Sequence, residues 1–198
     1  MRLVLASGSP RRVELMTAAG YDFTSHAPDI DERHEQGEPP RAYVERLAAE
    51  KSARTLEALG SPADVVVIGA DTAVVVAGQI LGKPRDAEDA GRMLRRLSGR
   101  EHEVITGVSL RTTLAAVASV ETTKVSFVAL SEDQIAWYVA SGEGRDKAGA
   151  YAIQGLAARF IPRIEGSYSN VVGLPIAVLD GLIRRLSWPP DILASKGE

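Results

Sequence analysis

The sequence contains no cysteine, which excludes disulfide bonds, thiolate metal sites and a cysteine nucleophile. Only three histidines occur in the 198 residues, and they are scattered. A histidine-based metal site is therefore not expected. A metal ion bound by this chain would be a hard cation such as Mg²⁺ or Mn²⁺, held by carboxylate oxygens.

Long hydrophobic runs are also absent. No apolar stretch exceeds six residues, and 65–68 and 73–77 are the size of strands, whereas a membrane-spanning helix needs about 20 apolar residues. The apolar run 3–6 behind Met1 is too short for the core of a signal peptide. These features predict a cytoplasmic protein without a membrane span.

Neither sign of charge dominates, because 23 basic residues face 26 acidic ones and the net charge is −3. That balance argues against a general nucleic-acid or membrane-surface binder and still allows a local basic pocket. No repeat, low-complexity tract or linker divides the sequence. We therefore expect a single domain over residues 1–198, with a loosely held tail from about 187.

Strand and helix patterns alternate along the chain, which is typical of an α/β protein. Local cap and turn residues set the expected limits. The expected strands are 3–6, 21–27, 65–68, 74–76 and 80–81, with an antiparallel pair in 103–128. The expected helices run from Ser9 to Gly20, over 39–59, from Asp86 to Leu97, from Ser131 to Ala140 and from Ser169 to Leu186, the last with its regular part delayed by Gly173 and Pro175.

The first candidate for a binding site is the segment Ser7-Gly8-Ser9-Pro10-Arg11-Arg12, between a predicted strand and a predicted helix. The N-terminus of a helix offers free N–H groups and a positive dipole end, and two guanidinium groups add charge. This combination suits phosphate oxygens. An ordinary helix cap with solvated arginines explains the same residues equally well.

A carboxylate follows the buried strand in Gly69-Ala70-Asp71-Thr72. Asp71, expected at the strand end beyond a glycine that allows close approach of backbone, suits a Mg²⁺ ligand or a general base. A turn aspartate that binds local amides is the alternative. The acidic loop 29–40 supplies a second carboxylate source in Asp29, Asp31 and Glu32, with a solvated loop as its alternative.

Lys51 and Lys83 are isolated lysines, for which a solvated surface position is the favoured interpretation. Gln154 lies between small residues in 147–155. Its amide both donates and accepts hydrogen bonds and so suits the edge of a nucleobase. Without further context, a loop glutamine that binds backbone is favoured.

Taken together, six segments resemble the Maf family of nucleoside triphosphate pyrophosphatases, which are also described as septum-formation inhibitors. The resemblance runs from Leu3 to about Leu186, and the co-occurrence of its motifs is far more specific than any one of them. The segments are Ser7–Arg12, Gly69–Thr72, Gly82-Lys83-Pro84-Arg85, Asp146–Tyr151, Ile153-Gln154-Gly155 and Gly166–Pro175.

The resemblance implies one Maf-like domain with an elongated, two-lobed mixed-sheet α/β fold similar to that of the inosine triphosphate pyrophosphatases (Ham1-like). It also implies hydrolysis of a nucleoside triphosphate to the monophosphate and pyrophosphate with a divalent cation. The combination of Arg11, Thr72 and Gln154 resembles the branch that acts on dTTP and UTP, a reaction suited to house-cleaning of nucleotide pools.

The same resemblance implies roles for individual residues. Asp71 matches the proton acceptor. The implied phosphate-binding positions are Ser7, Ser9, Arg12, Lys51 and Lys83, the implied metal ligands are Glu32 and Asp71, and the positions that set substrate choice are Arg11, Thr72 and Gln154.

Other functions are compatible with these residues. The base could be 7-methyl-GTP or a modified nucleotide, or the protein could regulate septum formation by binding without turnover. A minor-groove DNA contact by 9–12 is disfavoured by the net charge. A homodimer is among the assemblies that the sequence allows.

Overall fold

The computed structural model describes residues 2–186; the tail expected from about 187 lies outside this range. The strands are β1 (Arg2–Ala6), β2 (Phe23–Ser25), β3 (Val65–Val76), β4 (Gln79–Leu81), β5 (Glu101–Arg111), β6 (Ala116–Ser126) and β7 (Arg163–Glu165). The helices are α1 (Pro10–Ala18), α2 (Pro40–Ala58), α3 (Ala87–Leu97), α4 (Glu132–Ser141), α5 (Tyr168–Val172) and α6 (Ile176–Arg185). Two 3₁₀ segments span Ala148–Ala150 and Leu156–Phe160.

The strands form one mixed sheet of seven strands in the order β2-β1-β3-β5-β6-β7, with β4 paired to β3. β1 is parallel to both β2 and β3. β4 pairs antiparallel with β3, and β7 pairs antiparallel with β6. The predicted mixed-sheet α/β class is therefore confirmed. None of the described helices combines the length and the apolar character that crossing a membrane requires.

The described chain divides into two compact units, each with its own apolar core. The first unit comprises residues 2–71, 106–121 and 173–186, and its main core includes Leu5, Met16 and Leu179. The second comprises 72–105 and 122–172. Its core includes Leu94 and Tyr138.

Local sequence explains several helix starts. Asp86 caps α3 by accepting a hydrogen bond from Asp89 N at 2.7 Å, and Ser131 with Gln134 forms a reciprocal capping box at α4, as the pattern predicts. At α1, Pro10 opens the helix as expected. Ser9 occupies the cap position there, but its side chain makes no capping hydrogen bond.

Two expected boundaries are wrong. The strand at 65–68 does not end before Asp71, because β3 continues through strand-forming residues to Val76 and pairs with β4 over Val74–Val76. The single helix expected over 169–186 is split into α5 and α6. Gly173, at a φ of 128°, and Pro175, at the cap of α6, interrupt it.

Candidate active site

The turn after β1 holds Arg12 in a fixed position within the first unit. Ser7 Oγ accepts hydrogen bonds from Ser9 N at 3.1 Å and from Arg12 Nη1 at 3.2 Å. Arg12 Nε donates to the carbonyl oxygen of Gly173 at 2.8 Å. The arginine is buried. Full solvation, the alternative left open for this side chain, is therefore wrong, whereas the neighbouring Arg11 is half-buried.

Burial lowers the pKa of Arg12 below its usual value, and the negative charge of Asp71 acts in the opposite direction. The guanidinium nevertheless stays protonated, as arginine does in proteins. A buried guanidinium group makes strong, charge-assisted hydrogen bonds to anions such as phosphate. Arg12 therefore has the environment of a phosphate ligand.

Gly69 brings α2 close to β3. A Cβ atom at this position would overlap the carbonyl oxygen of Ala48 and lie 2.8 Å from Ser52 N. A side chain is thus excluded, as the sequence predicts for a glycine that lets backbone approach closely. The close approach sets Lys51 of α2 beside Asp71 of β3.

Lys51 lies between two carboxylates. Its Nζ is 2.6 Å from Oε1 of Glu32 and 2.7 Å from Oδ1 of Asp71. The side chains of Lys51 and Asp71 are only 9% and 11% exposed, whereas that of Glu32 is 48% exposed. The surface position favoured for Lys51 is therefore wrong. The face of α2 that carries this lysine is covered by β3 and by the acidic loop.

Hydrogen bonds from α2 hold the acidic loop that carries Glu32. Tyr43 Oη donates to the backbone oxygen of Glu32 at 3.0 Å. Arg46 Nε donates to Glu38 Oε1 at 2.7 Å, and its Nη2 donates to the carbonyl oxygen of Arg33 at 3.2 Å. These contacts hold the chain at Glu32 and after it, so the segment is more than a solvated acidic loop.

Tyr43 and Arg46 are not among the site residues predicted from the sequence. Residues 43, 47 and 51 are spaced by four and share one helix face, which was the available signal that Tyr43 and Lys51 meet the same neighbours. Burial, and then the charges of Asp71 and Glu32, raise the pKa of Tyr43 to about 12.

The donor set fits a hard divalent cation that also binds substrate. Carboxylate oxygens of Glu32 and Asp71 converge on one point, now occupied by the Lys51 ammonium group. Mg²⁺ is commonly held by one or two carboxylates together with substrate phosphates and water. Over residues 2–186 no cluster of three or more His, Asp or Glu side chains offers a complete protein cage.

Three of the expected site residues belong to the second unit. Thr72 follows Asp71 in β3 and is half-buried, and Lys83 is exposed beyond β4. Gln154 is exposed on the wall of a cavity of about 490 Å³. Among its other lining residues are Ile153, Ile164 and Tyr168. The structure thus brings Ser7, Arg12, Glu32, Lys51 and Asp71 together in the first unit and places Gln154 in a cavity of the second.

The architecture is shared with the Ham1 protein of Staphylococcus aureus. That structure superposes with a TM-score of 0.54 at 17% identity and covers 94% of this chain and 100% of its own. The chain is therefore an α/β protein with a Ham1-like fold, whose first unit holds a buried arginine and a buried lysine beside two carboxylates.

The chain belongs to the Maf family, since the family model described as Maf-like protein matches residues 2–186. The dTTP/UTP pyrophosphatase of Anaeromyxobacter dehalogenans (strain 2CP-C) is 52% identical over 192 residues, 95% of each chain. The dTTP/UTP pyrophosphatase of Hahella chejuensis is 53% identical over 175 residues, 88% of this chain and 87% of that protein. The resemblance found in the sequence is confirmed.

Proposed function

We propose that this protein is a nucleoside triphosphate pyrophosphatase that hydrolyses dTTP and UTP to the monophosphate and pyrophosphate. The relatives named for that reaction support the proposal because they match almost the whole chain at half identity. The observation that carries it is the contact of Lys51 with Glu32 and Asp71 in a buried setting. That cluster places a cation and two carboxylates together, the residue types that bind phosphate, hold a divalent cation and accept a proton.

Binding of the triphosphate depends on positive charge that is already in place. A nucleoside triphosphate carries about four negative charges, and charge-assisted hydrogen bonds to guanidinium and ammonium groups offset them. Arg12 is fixed by Ser7 and Gly173, and Lys51 by its two carboxylates. Neither side chain needs to be ordered when substrate arrives, so little conformational entropy is lost on binding.

In the reaction, a water molecule attacks the α-phosphorus in line with the bond to the departing oxygen. The bond from the α-phosphorus to the bridging oxygen breaks, and pyrophosphate leaves with that electron pair. Asp71 accepts the proton of the water, the role of a general base. Lys51 holds the Asp71 carboxylate through the 2.7 Å contact until a cation binds. A divalent cation on Glu32 and Asp71 would take the place of the ammonium group, neutralise phosphate charge and polarise phosphorus.

Selection of the base is assigned to the cavity that Gln154 lines. Its volume of about 490 Å³ lies in the range of small-molecule sites. Ile153, Ile164 and Tyr168 provide apolar and aromatic surface, against which a planar base can pack. The amide of Gln154 can accept from N3–H of uracil or thymine and donate to O4.

Product analysis tests the proposal. UTP or dTTP is incubated with Mg²⁺ or Mn²⁺, and the products are separated. UMP or dTMP with an equal amount of pyrophosphate is expected, and EDTA should abolish turnover. The appearance of UDP with orthophosphate would overturn the assigned bond. Full activity after exhaustive chelation would overturn the carboxylate-bound cation. The cytoplasmic location, the homodimer and the lack of nucleic-acid binding stay predictions from the sequence.

A further inference from the structure

Gln154 lies in a tight turn of the second unit. The carbonyl oxygen of Ala152 accepts a hydrogen bond from Gly155 N at 3.2 Å, which makes Ile153 and Gln154 the two central residues. The 3₁₀ segment Leu156–Phe160 follows at once. The direction in which the Gln154 side chain leaves the backbone is therefore set by how this turn is held.

Two side chains hold the turn at both of its ends. The hydroxyl of Tyr138 accepts from Ala152 N at 3.1 Å, and Oε1 of Glu143 accepts from Leu156 N at 2.8 Å. The Tyr138 hydroxyl in turn donates to Oε2 of Glu143 at 2.6 Å. The Tyr138 hydroxyl and the Glu143 carboxylate are thus one connected polar group, which binds the backbone two residues before Gln154 and two residues after it.

Helix α4 and the chain that follows it hold Tyr138 and Glu143 in place. Tyr138 lies in α4 and is 1% exposed. Gly142 ends this helix in the left-handed conformation, with φ at 73°, and the chain then turns so that Glu143 lies under the loop. Lys147 Nζ donates to the backbone oxygen of Glu143 at 2.8 Å. The anchors of the turn are therefore fixed independently of the turn itself.

Gly155 leaves the space that the Glu143 carboxylate fills. A Cβ atom at residue 155 would overlap Oε1 of Glu143 and lie 2.9 Å from its Oε2. The φ of Gly155 is −116°, so no positive φ requires the glycine, and the close approach of the Glu143 carboxylate is a reason for it. An alanine at this position would push the carboxylate off the turn without removing it.

We propose that Glu143, together with Tyr138, is a positioning residue that fixes the Gln154 turn and thereby sets discrimination between uracil or thymine and cytosine. The inference rests on the proposed function. The amide of Gln154 alone can rotate to satisfy either pyrimidine edge, so discrimination requires the backbone of the turn to keep one fixed arrangement around the base and the amide. Charged hydrogen-bond acceptors such as the Glu143 carboxylate hold backbone N–H groups more strongly than neutral ones do.

Specificity constants for UTP and CTP test the proposal. Glu143→Ala and Gly155→Ala should each lower the ratio of kcat/KM for UTP over CTP by at least about tenfold, mainly through loss on UTP. Glu143→Gln keeps one oxygen that can accept from Leu156 N but loses the second acceptor for the Tyr138 hydroxyl. Its ratio of kcat/KM should therefore lie between that of the unmodified enzyme and that of Glu143→Ala. The matched control is Glu132→Ala at the start of α4, which removes an exposed carboxylate paired with Arg95 and should leave the ratio unchanged.

A merely structural role for Glu143 would reduce activity on both nucleotides by the same factor. A double-mutant cycle gives a second readout: in the Gln154→Ala background, adding Glu143→Ala should change the ratio by less than about twofold, because the two residues act as one unit. Equal losses on both substrates, additive effects, or a normal ratio in Gln154→Ala would overturn the proposal.

The same data separate this inference from the function on which it rests. If the unmodified enzyme releases no pyrophosphate from UTP or dTTP, the proposed function fails and the inference with it. If the enzyme is selective for UTP, and Gln154→Ala loses this selectivity while Glu143→Ala keeps it, the proposed function stands and only the role of Glu143 is wrong.

Discussion

Lys51 Nζ lies 2.7 Å from Asp71 Oδ1, and both side chains are about nine-tenths buried. The contact joins α2 to β3 at the point where Gly69 lets them approach. Burial of a paired lysine and aspartate costs solvation energy and rarely improves stability over an apolar pair. The arrangement is therefore better explained by chemistry than by folding, and the other partner of the lysine, Glu32, strengthens that explanation.

Removal of the Asp71 charge should stop the reaction. Asp71→Asn changes the volume little and removes both the proton acceptor and a candidate metal ligand, so pyrophosphate release from UTP should fall by at least about 100-fold. Asp22→Asn, at an exposed aspartate, is the control and should keep full activity. Near-normal turnover by a well-folded Asp71→Asn protein would end the assignment.

Lys51→Met should harm both stability and activity. The two carboxylates lose the cation between them, and Asp71 keeps a buried acceptor without its partner, which costs about 1–3 kcal/mol of unfolding free energy. Urea unfolding measures this loss, with Lys124→Met as the comparison because Lys124 is 47% exposed and pairs with Glu101. An exposed pair contributes about 0–1 kcal/mol. Equal stability of the two variants would contradict the buried ion pair.

Arg12→Ala should weaken every triphosphate alike. Phosphate oxygens carry no information about the base, so KM for UTP, dTTP and CTP should rise by the same factor. The variant also loses the 2.8 Å bond to Gly173, and its thermal midpoint should fall. Arg11→Ala is the natural comparison, since the family resemblance links Arg11 to substrate choice. A loss confined to one base in Arg12→Ala would move this residue from phosphate binding to base recognition.

The buried His102 should make stability depend on pH. Burial lowers the pKa of His102 to about 4. Its Nε2 lies 2.8 Å from Tyr151 Oη, and within residues 2–186 its Nδ1 has no hydrogen-bond partner. The unfolded chain, with a histidine pKa near 6.5, therefore binds the proton more readily than the folded one.

The contribution of His102 is fully present above about pH 6.5 and is lost as the pH falls towards 4. Between pH 7 and pH 5 the loss should be about 2 kcal/mol. Urea unfolding at both pH values should show this extra loss in the unmodified protein and not in His102→Gln, which keeps a polar partner for Tyr151. The same pH dependence in both proteins would refute the assignment.

Several helix boundaries could be predicted from neighbouring residues in the sequence. Asp86 and Ser131 cap their helices as predicted, because a cap depends on residues within one turn of the chain. The predicted strand 65–68 was too short. In the structure β3 runs on to Val76, where it pairs with β4 beyond the turn at Gly78. The break between α5 and α6 was marked by Gly173 and Pro175, yet its position depends on tertiary contacts such as Arg12 with Gly173.

The residues of the site could be predicted where they match motifs of the family. Their burial and their contacts could not. Lys51 carries no local mark of burial, since its contacts are with Glu32 and Asp71, each about 20 residues away along the chain. Tyr138 and Glu143 were missed for the same reason. Their partners, Ala152 and Leu156, follow 13 or 14 residues later, across a segment whose path no periodicity predicts.

The most direct test of the account is pyrophosphate release from a panel of UTP, dTTP, CTP, ATP, GTP and 7-methyl-GTP at equal concentration with Mg²⁺. The account predicts efficient hydrolysis of UTP and dTTP. CTP should be much poorer, because a fixed amide leaves groups on its edge unpaired at about 1–3 kcal/mol each, and the purines should be excluded by size. A preference for 7-methyl-GTP, or equal turnover of all six nucleotides, would contradict it.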